Sequence, residues 1–236
     1  MFPKFKRTID NNQESVKVQF LTQSQELIHD KTKCVGCGTC GRVCPKGAVY
    51  RGPVGASVRL SESDELVTEV YDVSKCAFCG TCVIMCPFTA LSLKINGELL
   101  KLDEIPLVKQ NVVPKLEFEA KKIKNKDGVE RIVKQYTSGT IEIVDEECAG
   151  GCDTCYDVCP SSAISVPPKS KKGWEKTPNV VVDQDKCVVC GACDNACPTG
   201  AVKLKITEVK TSGQYNEPFW PDLVARLKKM RRSSKE

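Results

Sequence analysis

The chain has 236 residues, of which 28% are charged, 6% are aromatic and sixteen are cysteines, and its formal net charge is +5. With so few aromatic residues a conventional hydrophobic core would be thin, so we expect bound metal to supply part of the stability. No segment combines the length and apolarity of a membrane span, and residues 1–20 lack the apolar core of a secretion signal. These features predict a soluble, cytoplasmic protein.

The first 22 residues are mostly polar and show no clear periodicity. We therefore expect an N-terminal arm that lies on a partner or is disordered. A short strand is predicted at Glu26–Ile28, and it leads through a turn to the first cysteine. His29 is the only histidine of the chain. A Rieske centre would need two histidines, so His29 is interpreted as a surface residue rather than an iron ligand.

Two cysteine runs of identical spacing, Cys-x2-Cys-x2-Cys-x3-Cys-Pro, occupy residues 34–45 and 76–87. The proline ends the short helical turn that carries the last cysteine, because proline cannot continue a helix. A strand is predicted after each run, at residues 46–50 and 87–93, and Val58–Leu60 and Val67–Tyr71 alternate as a hairpin would. Residues 23–100 thus repeat one strand–run–strand unit.

Residues 101–140 contain no cysteine, and their sequence pattern predicts a long two-stranded hairpin. Leu116, Phe118 and Ala120 alternate with charged residues, 125–128 supplies a turn, and Val129–Tyr136 alternates again. Such a hairpin could be a spacer or a docking surface for a larger subunit. Because an isolated hairpin is marginally stable in water, we expect a covered one.

The second half of the chain, residues 141–208, repeats the first. The third run begins at Cys148 and has one extra residue after its first cysteine, whereas the fourth, beginning at Cys187, is regular. Gly150 and Gly151 are expected to accommodate this insertion, because glycine adopts backbone angles that other residues resist. Asp153 stands where the other runs have glycine.

Two segments near the end of the chain predict contacts with solvent or with other protein surfaces. The basic loop 166–178, which contains Trp174, is expected to face solvent or a partner. Residues 217–230 predict a helix, with Pro221 and Asp222 suited to its first turn. Its apolar residues form one stripe, Trp220, Leu223, Val224, Leu227 and Met230. The stripe predicts docking onto the chain's own domain or onto a partner, rather than onto a membrane or nucleic acid.

The four runs together use all sixteen cysteines and resemble the bacterial-type ferredoxins, in which this spacing binds two [4Fe-4S] clusters per domain. The resemblance implies an α+β fold with two tandem ferredoxin domains, 23–100 and 141–208, an N-terminal arm 1–22, a hairpin linker 101–140 and a tail 209–236 with a docking helix. It also implies crossed ligation, in which the last cysteine of a run binds the neighbouring run's cluster. The implied ligand sets are Cys34, Cys37 and Cys40 with Cys86; Cys76, Cys79 and Cys82 with Cys44; Cys148, Cys152 and Cys155 with Cys197; and Cys187, Cys190 and Cys193 with Cys159.

Tandem two-cluster domains are typical of polyferredoxins. The Cys148-Ala-Gly-Gly-Cys152 stretch, the hairpin spacer and the basic tail with Phe219-Trp220 make the chain similar to the polyferredoxin subunit of formylmethanofuran dehydrogenase from methanogenic archaea. That resemblance implies an anaerobic complex in which low-potential electrons pass to larger subunits of molybdenum, tungsten or flavin type, and in which carbon dioxide is reduced. The usual member carries more than four clusters, so this chain would be a shortened form.

A cluster with four cysteine ligands has no open coordination position, so the chain itself is expected to carry electrons rather than to catalyse. Four oxidised clusters with their thiolates would add about −8, which turns the charge of +5 into roughly −3. The basic excess is therefore mostly counter-charge. Because no basic stripe with interleaved aromatic residues accompanies the runs, no nucleic-acid partner is predicted.

Other interpretations of the cysteines are less consistent with their spacing. The four-cluster subunits of molybdopterin oxidoreductases and hydrogenases nest their runs, first with fourth, and a redox sensor needs an output domain. The third run also resembles the three-cysteine signature of radical S-adenosylmethionine enzymes, but Cys159-Pro160 follows at ferredoxin spacing. A disulfide framework would need an oxidising compartment, and structural zinc favours paired Cys-x2-Cys knuckles.

Overall fold

A computed structural model describes residues 2–168 and 177–229, so the predicted positions of Trp174 and Met230 lie outside the described residues. The structure is α+β, as expected, with short elements throughout. The strands are β1 (Lys4–Ile9), β2 (Gln13–Gln19), β3 (Ser24–Asp30), β4 (Val49–Arg51), β5 (Glu69–Tyr71), β6 (Leu91–Ile95), β7 (Glu98–Leu99), β8 (Lys115–Leu116), β9 (Glu119–Lys124), β10 (Glu130–Gln135), β11 (Thr137–Ile143), β12 (Ile164–Ser165), β13 (Val181–Val182), β14 (Val202–Val209) and β15 (Thr211–Ser212). The α-helices are α1 (Thr39–Val43), α2 (Thr81–Ile84), α3 (Pro106–Lys109), α4 (Thr154–Asp157), α5 (Ala192–Ala196) and α6 (Phe219–Lys228).

The N-terminal residues form part of a sheet. Strands β1 and β2 pair antiparallel, and the five-stranded sheet has the order β1-β2-β3-β6-β7. On β2 the side chains of Val16 and Val18 are buried. The expected disordered or partner-bound arm is therefore wrong for residues 4–19, because the period-two alternation of these valines, hidden among polar residues, covers one face of the sheet.

Each half of the chain pairs its strands in the same way. The strand before the first run of a half pairs with the strand after the second run, as β3 does with β6 and β11 with β14. The two strands that lie between the runs of a half pair with each other, as β4 does with β5 and β12 with β13. The structure therefore shows the expected pseudo-twofold repeat of strand, run and strand.

One predicted strand is replaced by turns. Residues Ala56–Val58 and Leu60–Glu62 form two 3₁₀ turns, so the expected strand at Val58–Leu60 is wrong. Strand β5 takes β4 as its partner instead, with Val49 opposite Tyr71. The apolar alternation around Val58 gave a false signal, because its side chain is 45% exposed and faces no partner strand.

The predicted hairpin is confirmed as β9 and β10, which pair antiparallel with Glu130 opposite Lys124. Strand β10 contacts the first half of the chain, whereas five of the six residues of β9 are exposed, so the expected covered hairpin is covered only along β10. The Lys134 N–H donates to the carbonyl of Pro87 at 2.8 Å, and the hydroxyl of the buried Tyr136 donates to the carbonyl of Met85 at 2.6 Å. The hairpin is thus anchored directly at the end of the second cysteine run.

The tip of the same hairpin contacts the second half. The Lys126 ammonium pairs with the carboxylate of Asp157 and lies over the ring of Tyr156, 4.9 Å from its centroid. The Ser162 hydroxyl donates to the carbonyl of Lys124 at 3.1 Å. The hairpin therefore joins the second run to the third run, as a spacer with contacts at both ends.

Helix α6 docks on the chain's own surface, where it packs against α1 of the first half and β14 of the second. Its stripe residues Trp220, Leu223 and Leu227 are buried. The Arg226 guanidinium donates to the carbonyl of Cys44 at 3.5 Å. Among the helices in the two described ranges, none is long and apolar enough to cross a bilayer.

Candidate iron–sulfur sites

Three of the four runs begin with the same turn. In each of them an aspartate lies four residues before the first cysteine. Its carboxylate accepts a hydrogen bond from the backbone N–H two residues later, and its backbone carbonyl accepts one from the N–H of the cysteine. The acceptors are Asp30, Asp72 and Asp183, and the cysteines are Cys34, Cys76 and Cys187 at 3.2, 3.0 and 3.1 Å. The lysine before each of these cysteines pairs with the same aspartate, at 3.0 to 3.4 Å. Such side-chain turns hold the backbone at the start of the run.

The third run begins differently. The Cys148 N–H bonds to the carbonyl of Val144 at 3.1 Å, and the nearby Asp145 carboxylate accepts the N–H of Asn179 instead. Gly151 has φ +93°, and the residues directly before the second cysteine of the other runs, Gly36, Phe78 and Val189, are left-handed as well. Asp153 has φ −113° at the position where the other runs have a left-handed glycine. The third run therefore keeps the left-handed residue before its second cysteine and lacks the one after it.

In the regular runs the residue after the second cysteine is glycine for a steric reason. Gly80 has φ +80° and directly precedes α2. A Cβ atom at this position would lie 2.6 Å from Cγ2 of the fully buried Ile105. Glycine is therefore required both by the backbone angle and by the close approach of a neighbouring side chain.

The cysteines converge in four sets, which we call the first to fourth sites. Three of these sets line cavities: the first site has Cys34, Cys37, Cys40 and Cys86, the third has Cys148, Cys152, Cys155 and Cys197, and the fourth has Cys159, Cys187, Cys190 and Cys193. Each cavity combines three cysteines of one run with the last cysteine of the neighbouring run. Four thiolates in an enclosed, largely apolar cavity are the donor set that a [4Fe-4S] cluster requires.

The remaining cysteines, Cys44, Cys76, Cys79 and Cys82, form the second site. Burial, and then the neighbouring Cys44, raise the pKa of the Cys76 thiol to about 11. Burial, followed by Cys79, Cys76 and Cys44, likewise raises the pKa of Cys82 well above its ordinary value. Cys44 therefore lies beside the cysteines of the second run.

All sixteen cysteines lie within the described residues and are free of disulfide bonds. Burial is the main cause that raises the pKa of the Cys34, Cys40 and Cys193 thiols well above the ordinary value. These thiols are neutral in the metal-free chain near neutral pH. Cluster binding must displace their protons, so the structure couples assembly to pH.

The last cysteine of a run receives a hydrogen bond that the sequence analysis missed. The N–H of the alanine four residues later donates to the cysteine sulfur, from Ala48 to Cys44 at 3.2 Å and from Ala90 to Cys86 at 3.3 Å. Ala163 donates to the sulfur of its own run's last cysteine in the same way. The signal was present in the sequence, because alanine follows at this spacing in all four runs. Hydrogen bonds to sulfur are one of the levers on cluster potential.

His29 is buried, so its interpretation as a surface residue is wrong. Strand pairing places it opposite Glu14, whose carboxylate lies 3.6 Å from Nδ1, and its ring packs edge-on against Tyr71 at 5.4 Å between centroids. The misinterpretation follows from the unrecognised strand β2, which covers His29. Tyr71 in turn directs its hydroxyl to the Cys40 sulfur at 3.7 Å.

A buried carboxylate also lies beside the first site. Glu69 is 2% exposed and accepts a hydrogen bond from the Asn195 side chain at 3.3 Å. Burial raises the pKa of Glu69 to about 8, although Arg42 and Arg51 oppose the shift. No sequence pattern marked this residue, because its burial depends on contact between the two halves.

Comparisons with known proteins agree with these features. Three family models, each described as a 4Fe-4S dicluster domain, match residues 12–91, 68–160 and 147–201. A search of curated proteins finds no match. Among solved structures, a chain of the formate dehydrogenase–heterodisulfide reductase–formylmethanofuran dehydrogenase complex from Methanospirillum hungatei is 28% identical, with a TM-score of 0.81. The match covers 100% of this chain and 95% of that chain. The chain therefore carries repeated 4Fe-4S dicluster ferredoxin domains between residues 12 and 201, and this repetition makes it a polyferredoxin with an iron–sulfur electron-transfer role.

Proposed function

We propose that the chain relays single electrons at low potential through four [4Fe-4S] clusters, to or between larger redox subunits. The observation that carries this proposal is the convergence of four cysteines, drawn from two runs, on each enclosed cavity. We assign one cluster to each of the four sites defined above. When bound, such a cluster accepts and releases one electron and offers no coordination position to a substrate.

The chain's own residues would hold, shield and tune the clusters. Apolar side chains beside the cysteines, such as Val35 and Phe88 at the first site and Val188 at the fourth, exclude water. Backbone N–H groups donate to the sulfurs of Cys44 and Cys86. Exclusion of water disfavours the reduced cluster, which carries more negative charge, whereas the N–H donors to sulfur favour it. The balance of the two effects sets the potential of each cluster.

We further propose that the parent complex is of the formylmethanofuran dehydrogenase type, in which carbon dioxide is reduced at a molybdenum or tungsten subunit. Similarity along the whole chain to a chain of a complex that contains that enzyme, together with a formate dehydrogenase and a heterodisulfide reductase, supports this assignment. We expect the protein to act in the cytoplasm, where sixteen thiols would stay reduced before clusters are inserted.

Cluster number and ligation can be tested on the full chain prepared without oxygen. We expect about sixteen iron and sixteen sulfide per chain, four for each cluster. Replacing Cys34, Cys37 and Cys40 together by serine should remove one cluster. Adding Cys86→Ser to that variant should then change neither the remaining iron nor the remaining potentials, whereas adding Cys44→Ser should damage a second cluster. The reverse result would contradict crossed ligation.

The parent complex can be tested by isolating the native assembly without oxygen and identifying the co-purifying chains by mass spectrometry. We expect catalytic subunits of formylmethanofuran dehydrogenase type. Recovery only with a hydrogenase, with a formate dehydrogenase or without any larger subunit would contradict the assignment to this complex. The relay function would then be judged separately, from the cluster count and reversible one-electron reduction.

A further inference from the structure

One arginine lies at the contact between the two halves of the chain, where the first run meets the fourth. Arg42 is in α1 and is 8% exposed. Its Nη2 atom donates to the carbonyl of Cys37 at 3.0 Å and to the carbonyl of Cys190 at 3.5 Å. Its Nη1 atom lies 3.7 Å from the carboxylate of Asp194. One guanidinium therefore contacts the backbone of a cysteine from the first site and of a cysteine from the fourth.

Asn195 makes further contacts at the same junction. Its side-chain amide donates to the carbonyl of Gly36 at 2.9 Å, and its backbone carbonyl accepts from the Arg51 guanidinium at 2.7 Å. The two runs approach so closely that a Cβ atom on Gly38 would lie 2.8 Å from Cγ of Asn195. The runs are thus in direct contact, with no intervening element.

The cysteine sets give the order of the sites. Within each half the two sites are neighbours, because the last cysteine of one run completes the site of the other run. At the junction the backbone of Cys37 from the first site and that of Cys190 from the fourth share one guanidinium. The sites therefore follow the spatial order second, first, fourth, third.

We propose that the two pairs of cluster sites are joined electrically at this junction, between the first and fourth sites, and that Arg42 is its positioning residue. This inference rests on the proposed relay function. The guanidinium fixes the separation of two cysteine-bearing loops and holds a positive charge beside both sites. The transfer involves one electron and forms or breaks no bond. A buried cation favours the addition of negative charge at either side, because the interior screens it less than water does.

The test uses the full chain with all four clusters, titrated under EPR detection so that individual midpoint potentials are resolved. In Arg42→Gln we expect two of the four midpoint potentials to become more negative. The reduction equilibrium constant of each of these two clusters should fall about tenfold, which corresponds to 59 mV for one electron. Arg226→Gln is the matched control, because Arg226 also donates to a cysteine carbonyl, that of Cys44, but its other bond is to Asp222 of its own helix and it makes none of the contacts of Arg42 with the fourth run. This control should shift one potential at most.

Two further variants separate charge from position. Arg42→Lys keeps the charge but loses the planar fork, so its four potentials should stay close to those of the parent while electron equilibration between the halves slows. Asn195→Ala loses the side-chain bonds to Gly36 and Glu69 without changing the formal charge, and it should behave likewise. After reduction by less than one electron per chain, freeze-quenched EPR should show equilibration at least tenfold slower in both variants than in Arg226→Gln.

The inference is overturned if Arg42→Gln leaves all four potentials unchanged or moves only one, or if neither Arg42→Lys nor Asn195→Ala slows equilibration. If Arg42→Gln fails to retain iron, the rates of Arg42→Lys and Asn195→Ala decide the question. Failure of the relay function itself would look different, because the parent chain would then hold fewer than four clusters or show no reversible reduction.

Discussion

Gly80→Ala tests whether close packing, rather than the backbone angle alone, fixes the glycine after the second cysteine. Alanine at φ +80° costs about 1–2 kcal/mol, because its Cβ crowds the backbone in the left-handed region. The added methyl would also lie 2.6 Å from Cγ2 of Ile105, a residue with no exposed surface. Overpacking of that kind costs about 1–3 kcal/mol more. The expected destabilisation is therefore about 2–5 kcal/mol.

Gly97→Ala provides the matched control. Gly97 has φ +85° in the turn between β6 and β7, but a Cβ atom there would meet nothing within 4 Å. This variant should lose only the backbone term of about 1–2 kcal/mol. The difference between Gly80→Ala and Gly97→Ala isolates the contact with Ile105.

Both variants should be compared as full chains with their clusters, by anaerobic thermal unfolding and by the rate of iron release to a chelator at fixed temperature. For a chain of this size each kcal/mol shifts Tm by about 2–4 °C. We expect Gly80→Ala to melt below Gly97→Ala and to lose iron faster. Equal melting temperatures and equal release rates would refute the steric argument, since Ile105 would then move aside without cost.

Three further predictions concern other buried contacts. Thr68→Val removes the hydroxyl that donates to the Cys34 sulfur at 3.0 Å, so the potential of one cluster should become more negative in an EPR titration, and an unchanged set of potentials would contradict this. Tyr136→Phe leaves the buried carbonyl of Met85 without its donor and should lower the free energy of unfolding by about 1–3 kcal/mol, with faster amide exchange in β10 as the local readout. The pKa of Glu69 is raised from 4.5 to about 8, so the folded state holds a proton between these pH values that the unfolded state has lost. The stability of the fold therefore falls as pH rises through that window. Glu69→Gln should flatten this part of the stability profile, and a profile that keeps its slope would place the titration elsewhere.

Much of the site could be predicted from the sequence because its determinants are local. Ligand spacing, the proline after each run and the repeated alanine are fixed by the geometry of one short loop. The strands before and after the runs were recognised for the same reason, since period-two alternation is a local pattern.

The features that sequence analysis missed depend on distant residues. His29 is the exception, because it is buried beside the adjacent strand β2 and against Tyr71, and the alternating valines of β2 were not recognised as a strand. No local pattern marks Glu69 or Arg42, yet both are buried where the first run meets the fourth. Val58 was misassigned for the opposite reason, since a local alternation had no partner strand to pair with. Contacts between residues more than a hundred positions apart leave no periodic signal in one sequence.

Helix α6 has a consequence for how the protein is made. It is the last described element of the chain, yet it packs over α1, and its Arg226 reaches Cys44 in the first run. During translation the first half therefore emerges and can fold while its cover is still missing, because domains fold in order of synthesis. The side of α1 next to Cys44 therefore stays uncovered until α6 has been synthesised and has docked on it.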